Sequence, residues 1–264
     1  MTEPAAGSAV TELRTSAQRD GDDYIVNGTK IFSTHSPDAS VFLVYVRFGP
    51  GVSGIGSIIV ERNTPGFDIG KASAFLGGDS WCPLFFDNCR IPARNVLLGP
   101  GGFKMQMSAF NAERTGNAAR SLALGRLAFN IAREHVLTRK QFGKFLCEFQ
   151  GIQWKFSDMA VKLDCAQLAL YRAASRADKG MPSAHETAIA KICANQTGFE
   201  VADAAMQVMG GMGYSEESLI EYCFRRTRGW MIAGGSVEIL KNRIAEGVFQ
   251  RRFTQRDRNA EAAE

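Results

Sequence analysis

The sequence predicts an α+β multidomain protein, in which a β-barrel-like or sandwich domain is followed by a four-helix-bundle domain. Three observations carry this expectation. Up to about residue 100 the apolar residues alternate or gather in short runs ended by Gly, Pro and Asn, as strands do. From Phe103 onward they recur at three- and four-residue steps over long stretches, as helices do. The chain has 264 residues, enough to bury two ordinary cores. The expected divisions are a β-domain over 1–100, a helical bundle over 101–253 and a polar tail over 254–264.

In order along the chain, "DDYIVNGTKIFST" places Asn27-Gly28 between alternating apolar runs, which predicts a hairpin turn at that dipeptide. "VFLVYVRF", "GSIIVERNTPGF" and "WCPLFFDNCRIP" read as further strands, and Pro92, Pro100 and two glycines close this half. One long helix then begins near Phe103, with Leu122, Leu124, Leu127, Phe129, Ile131 and Val136 as its expected apolar stripe. A loop "QFGKFLCEFQG" follows, then helices over about 152–178 and 183–209, the second stopping at "GGMGYS". Shorter helices are expected over 219–226 and 237–249.

Composition excludes several functions. Hydrophobic residues make up 45% and charged residues 22%, the balance of a globular chain and not a disordered one. The net charge is only +4, with arginine patches at 225–229 and 250–258, and nothing resembles an aromatic-interleaved nucleic-acid surface. Those patches suit helix ends, subunit contacts or the phosphates of a nucleotide. Six cysteines form no CxxC pair and no histidine stands at metal spacing. Reduced thiols, no metal site and a cytoplasmic location are therefore expected. No apolar run reaches membrane-spanning length, and "MTEPAAGSAV" lacks the basic start and apolar core of a signal peptide.

Six stretches are chemically suggestive, and each alone has an ordinary structural explanation. "TEPAAGS" (2–8) is a small-residue loop with hydroxyls that could approach phosphates or carbonyls. "KIFSTHS" (30–36) is a strand end that could present Thr34 to a flat ring. "RKQFG" (139–143) puts Arg139 where it either offsets a helix dipole or clamps a phosphate. "QVMGGMGYS" (207–215) follows a helix, so it is no dinucleotide fingerprint. "FNAERTGNAAR" sets Glu113 and Arg114 inside an apolar helical region, and "WMIAGGSVEILKNRI" (230–244) places two glycines before a helix.

Taken in order, "TEPAAGS", "NGTKIFST", "AER", "RKQFG", "EFQGIQWKFSDMA", "QVMGGMGY" and "IAGGSVEILKNRIAEG" resemble the acyl-CoA dehydrogenase family over about residues 2–253. The resemblance implies FAD as cofactor, held by the β-domain and the C-terminal helices. It implies an acyl-CoA substrate, an electron-transfer flavoprotein as reoxidant, and a homodimer or homotetramer. Thr2 and Ser8 match the loop that contacts flavin and pyrophosphate, with Ser8 also toward substrate. Thr34 matches the residue near flavin N5, and Phe32 stands where many members carry Trp. Arg139 and Phe142 match the clamp on a neighbouring subunit's FAD. Gln207, Gly210 and Gly211 match the loop over its adenine side, while Ser236 and Glu238 complete the cofactor set.

The implied reaction is α,β-desaturation: a carboxylate takes the α-proton while hydride leaves for flavin N5. Many members carry that carboxylate in a "YEGT"-like motif, where this chain reads "AGGS" and has Gly234. Members resembling isovaleryl-CoA and long-chain dehydrogenases carry it on the long helix instead. That position here is Glu113, followed by Arg114 toward substrate; Gly235 is expected to offer its amide to the thioester. The chain begins where a full-length member would have passed an N-terminal helical domain, implying a truncated sequence or a second chain supplying that domain. Two rival readings are a non-catalytic FAD-binding partner subunit and a flavin oxidase or monooxygenase on the same scaffold.

Overall fold

A computed structural model describes residues 1–178 and 180–254, so all but the first residue of the expected polar tail lies outside the described residues. The chain divides into two compact units, Met1–Met107 and Ser108–Phe253.

The first unit is a mixed sheet of eight strands. These are β1 (Ser16–Asp20), β2 (Asp23–Thr34), β3 (Val41–Arg47), β4 (Ile55–Glu61), β5 (Phe67–Ile69), β6 (Ser73–Ala74), β7 (Ser80–Pro92) and β8 (Val96–Leu98). Their order is β5-β7-β2-β1-β3-β4-β8, with β6 on β7. Every pairing is antiparallel except β1 with β3, which meet in parallel at one residue pair, Ser16 and Arg47. So narrow a join lets the sheet fold over. Val44 and Val46 of β3 and Ile58 and Val60 of β4 share one apolar cluster with Val26 of β2 and Leu84, Phe86 and Ile91 of β7. Burial of these faces is the main stabilising term of the unit.

One expected turn is absent. Asn27 and Gly28 lie inside β2, and the chain reverses one turn earlier, at Gly21 (φ 60) and Asp22 between β1 and β2. The physical reason is that β2 is paired on both sides, to β1 and β7, so Asn27-Gly28 forms an irregularity in the ladder instead of ending it. Gly28 has φ 149, and a Cβ there would come within 2.7 Å of the Thr15 backbone.

The second unit is helical. The long helix α1 (Phe103–Thr138) starts in the first unit and continues through the second; it is followed by α2 (Gln150–Ala177), α3 (Ala184–Met209), α4 (Gly211–Tyr214), α5 (Leu219–Trp230) and α6 (Val237–Phe249). Between α1 and α2 the expected loop contains a small hairpin, β9 (Lys140–Gln141) and β10 (Lys144–Phe145), and α5 runs four residues past its expected end. Ser183, Ser218 and Ser236 cap α3, α5 and α6 with their hydroxyls. Met159, Leu163 and Leu170 of α2 pack with Ala118 and Leu122 of α1 and Ala194 and Val201 of α3.

The buried seam of α1 combines the expected stripe, except Leu127, with small residues. Ala118, Leu122, Ala128, Ala132 and Val136 are buried, whereas Leu127 is exposed. Small residues win because α1 and α3 approach closely: a Cβ on Gly125 would lie 2.9 Å from the Gly198 Cα. No helix among the described residues is long and apolar enough to cross a membrane, and no group of three or more acidic, His or Cys side chains there could hold a metal.

Candidate functional site

Within the sheet unit, Thr2, Phe32 and Thr34 line one cavity of about 250 Å³, together with Lys30, Val41 and Leu43. Three features shape it. The Thr2 carbonyl accepts a hydrogen bond from the Ile31 N–H at 2.9 Å, fastening the N-terminal loop to β2. The Glu3 carboxylate beside it receives Lys30 Nζ at 2.6 Å, Thr15 Oγ1 at 2.6 Å and the N–H groups of Arg14 and Thr15. Those donors hold the Glu3 carboxyl below its usual range against the opposing effect of burial, while burial lowers Lys30 despite its partner. Finally, β2 is irregular between Lys30 and Ser33, where Phe32 adopts φ 56. Its half-exposed ring rests on Trp81, centroids 4.7 Å apart, with Phe75 at 6.1 Å. His35 is also left-handed, with φ 60. Two strained residues with side chains only three positions apart are costly, and such strain gathers where a ligand is bound. Ser8 is exposed and does not line this cavity.

Within the helical unit, Glu113 and Gly234 converge on one side chain. Asn117, one turn after Glu113 on α1, donates Nδ2 to Glu113 Oε1 at 2.8 Å. The same Nδ2 would lie 3.3 Å from a Cβ on Gly234. Arg114 Nε donates to the Gly234 carbonyl at 2.8 Å, across 120 residues of sequence, and its Nη1 to Asn111 Oδ1 at 3.0 Å. The Arg114 guanidinium also sits over the Phe110 ring at 5.1 Å. Burial and the nearby Arg243 pull Arg114 below its usual pKa, and Glu113 works in the opposite direction.

The turn between α5 and α6 presents its carbonyls inward. Lys191 Nζ donates to the carbonyls of Trp230 at 2.9 Å and Gly235 at 3.1 Å, and Asn195 Nδ2 adds a 2.7 Å bond to Trp230. Lys191 is fully buried, and desolvation, then Arg114, push its pKa down to about 8 against the pull of Glu113. Gly234 (φ 72) and Gly235 (φ 96) are both left-handed. The Gly235 N–H has no acceptor among the described residues. Glu113 itself is exposed, and its Oε2 carries no hydrogen bond among the described residues.

The remaining candidates sit elsewhere in the unit. Ser236 caps α6, its Oγ accepting from the Ile239 N–H at 3.4 Å, and the exposed Glu238 lies in that helix's first turn. Hydrogen bonds from its own backbone N–H and from Ser236 keep the Glu238 carboxyl below its usual range. Arg139 directly precedes β9 and Phe142 lies in the β9–β10 turn, 94% exposed and left-handed at φ 50. Gln207 is exposed near the end of α3, Gly210 (φ 59) ends that helix, and Gly211 opens α4. Asn117, Lys191 and Asn195 escaped the sequence reading. The available signal was a lysine amid the apolar run "AIAKICA", an arrangement that needs buried acceptors.

Family models for the middle domain and the C-terminal domain of acyl-CoA dehydrogenase match residues 1–89 and 100–249. The mitochondrial isobutyryl-CoA dehydrogenase of Dictyostelium discoideum is 38% identical over 247 residues, 91% of this chain and 59% of that protein. The butyryl-CoA dehydrogenase structure from Megasphaera elsdenii superposes with a TM-score of 0.89 at 34% identity, covering 95% of this chain and 67% of that one. A chain in a structure described as the electron transferring flavoprotein of Acidaminococcus fermentans gives a TM-score of 0.90 at 32% identity, covering 94% and 67%. This chain thus spans about three fifths to two thirds of the length of these relatives. With both domain models matched in order over most of the chain, and with relatives at this identity, the chain belongs to the acyl-CoA dehydrogenase family.

Proposed function

We propose that the chain is the catalytic portion of an FAD-dependent acyl-CoA dehydrogenase with Glu113 as the base. The observation that carries this reading is the amide of Asn117, which binds Glu113 Oε1 and would lie 3.3 Å from a Cβ on Gly234. A carboxylate on α1 thereby stands beside the turn where many members carry theirs. Asn117 occupies one carboxylate oxygen and leaves Oε2 to take the α-proton. The Gly235 N–H is available to donate to the thioester carbonyl and stabilise the enolate that develops there. Arg114, tied to the turn by the Gly234 carbonyl, holds positive charge next to the substrate's path.

The cavity in the sheet unit suits a flavin: an aromatic wall at Phe32, hydroxyls at Thr2 and Thr34, and strained backbone holding them. Phe32 would support the flat ring, and Thr2 and Thr34 would donate to its polar edge. When bound, FAD supplies the hydride acceptor. Arg139, Phe142, Gln207, Gly210, Gly211, Ser236 and Glu238 are kept as cofactor contacts, and Ser8 as a contact of the exposed loop. An electron-transfer flavoprotein as reoxidant, a homo-oligomer, and the cytoplasm as location belong to the same reading.

The test is anaerobic titration of the FAD-loaded protein with a panel of acyl-CoA thioesters. Bleaching of the flavin band by at least one of them is expected, with Glu113→Gln lowering the rate at least a thousandfold while FAD stays bound. The exposure of Glu113 favours one rival, since water reaches its carboxylate freely. Bound FAD that no thioester bleaches would establish that rival, a non-catalytic flavoprotein subunit.

A further inference from the structure

Lys191 is the only fully buried charged side chain among the described residues of the helical unit, and the reaction above gives it no part. Burying an ammonium is costly, and a methionine would fill a similar volume without that cost. Its benefit must therefore lie in what it fixes.

What it fixes is a turn that its own backbone does not select. Glycine enters left- and right-handed conformations about equally, so two adjacent glycines leave several shapes open. The backbone bonds inside the turn run from Ile232 and Ala233 to the Gly229 carbonyl and from Val237 to the Met231 carbonyl, and none involves Gly234 or Gly235. Side chains make the choice. Lys191 grips Trp230 at one end and Gly235 at the other, so it spans the flexible stretch as a single clamp. Asn195 reaches only the Trp230 end, and Arg114 only Gly234. Held in this shape, the turn brings the place of a Gly234 Cβ to 3.3 Å from the Asn117 amide, which binds Glu113 Oε1.

We infer that Lys191 is a positioning residue for Glu113: by binding the carbonyls of Trp230 and Gly235 it fixes the double-glycine turn against Asn117, and so sets the direction of the Glu113 carboxylate. The inference rests on the reading of Glu113 as the base. Lysine is suited to the task because its ammonium has three donors on a stem long enough to reach from α3 to both ends of the turn.

The test is Lys191→Met in the full chain loaded with FAD. Amide exchange over residues 231–236 should accelerate at least tenfold, while exchange in the α2 core stays at the wild-type rate. The Asn117 side-chain amide resonances should move, which loss of packing remote from Glu113 would not cause. Flavin reduction should fall at least tenfold in kcat, with KM changed less than threefold. Unchanged exchange in the turn, or a loosened turn with Asn117 unmoved, overturns the inference. Should Lys191→Met fail to fold, the wild type decides. A slowly exchanging Lys191 ammonium with couplings to the Trp230 and Gly235 carbonyl carbons supports the clamp, and exchange at surface-lysine rates refutes it. A wild-type protein that no thioester bleaches removes the proposed reaction, while the Asn117 and exchange readings still decide whether Lys191 orients Glu113.

Discussion

Lys191 is opposed by burial and by Arg114, and supported by Glu113, with the net result that its pKa falls from 10.5 to about 8. The sign of the consequence follows from proton counting. Between pH 8 and 10.5 the unfolded chain binds this proton and the folded chain does not, so stability rises with pH across that window. Below it both states are protonated and the folded state carries the full cost, on the order of 3 kcal/mol. Urea unfolding of the wild type and of Lys191→Met at pH 7 and pH 10 should show the gap between them shifting toward the wild type by about 2 kcal/mol. A pH-independent gap would mean that Lys191 keeps its ordinary basicity in the fold. At this scale the sequence was unevenly legible. Glu113 is proposed because Gly234 cannot carry a proton acceptor, and the Asn117 amide that binds Glu113 lies near the place a Gly234 Cβ would take. The lysine in "AIAKICA" signals only that Lys191 needs buried acceptors; which acceptors Lys191 and Asn195 take was not legible, because they are backbone carbonyls of a turn whose shape no residue type announces. The left-handed Phe32 and His35 were hidden for a related reason, since strain in a residue with a side chain is imposed by its surroundings.

At the scale of elements, helix periodicity was read well because it depends on local apolar spacing, and α2, α3 and α6 fall within two residues of their expected bounds. The Asn27-Gly28 turn failed because partners on both sides of β2 overrode a local preference that Gly21 expresses instead. On α1, the expected Leu122 and Val136 are buried and Leu124, Phe129 and Ile131 pack against the core, while alanines fill the rest of the seam where α3 approaches closely. That approach is testable at Gly198, where an added Cβ would meet the Ser121 carbonyl oxygen and Oγ at 2.5 Å. The nearer obstacle includes backbone, so the helices must separate. Gly198→Ala should cost about 1–3 kcal/mol in denaturant unfolding, the usual range for overpacking. Gly116→Ala, on α1 with nothing within 4 Å of its Cβ position, supplies the control. It should gain about 0.5–1 kcal/mol from helix propensity alone. Equal effects at the two positions would rule out a tight crossing.

For the molecule as a whole, the family was legible from the order of motifs, none of them specific alone, while the pairings within each unit were not. Sequence order survives insertion and substitution, whereas a buried cluster such as Glu3, Thr15 and Lys30 depends on the three-dimensional path of the chain. Cofactor binding is the property through which the proposed reading can be tested on the intact chain without any turnover. A ligand that binds only the native state stabilises it by RT ln(1 + [L]/Kd), about 2.7 kcal/mol at a hundredfold excess over Kd. FAD should therefore raise the thermal midpoint progressively with concentration and slow amide exchange in Ile31–Thr34 of β2, beside the cavity. Phe32→Ala should weaken this binding about tenfold, the loss of one aromatic contact of about 1.4 kcal/mol. Because Phe32 is half-exposed, the midpoint without FAD should change little, which separates loss of binding from loss of fold. A midpoint that ignores FAD at every concentration would refute a flavin site in this chain, and an undiminished response in Phe32→Ala would move that site away from the Thr2–Thr34 cavity.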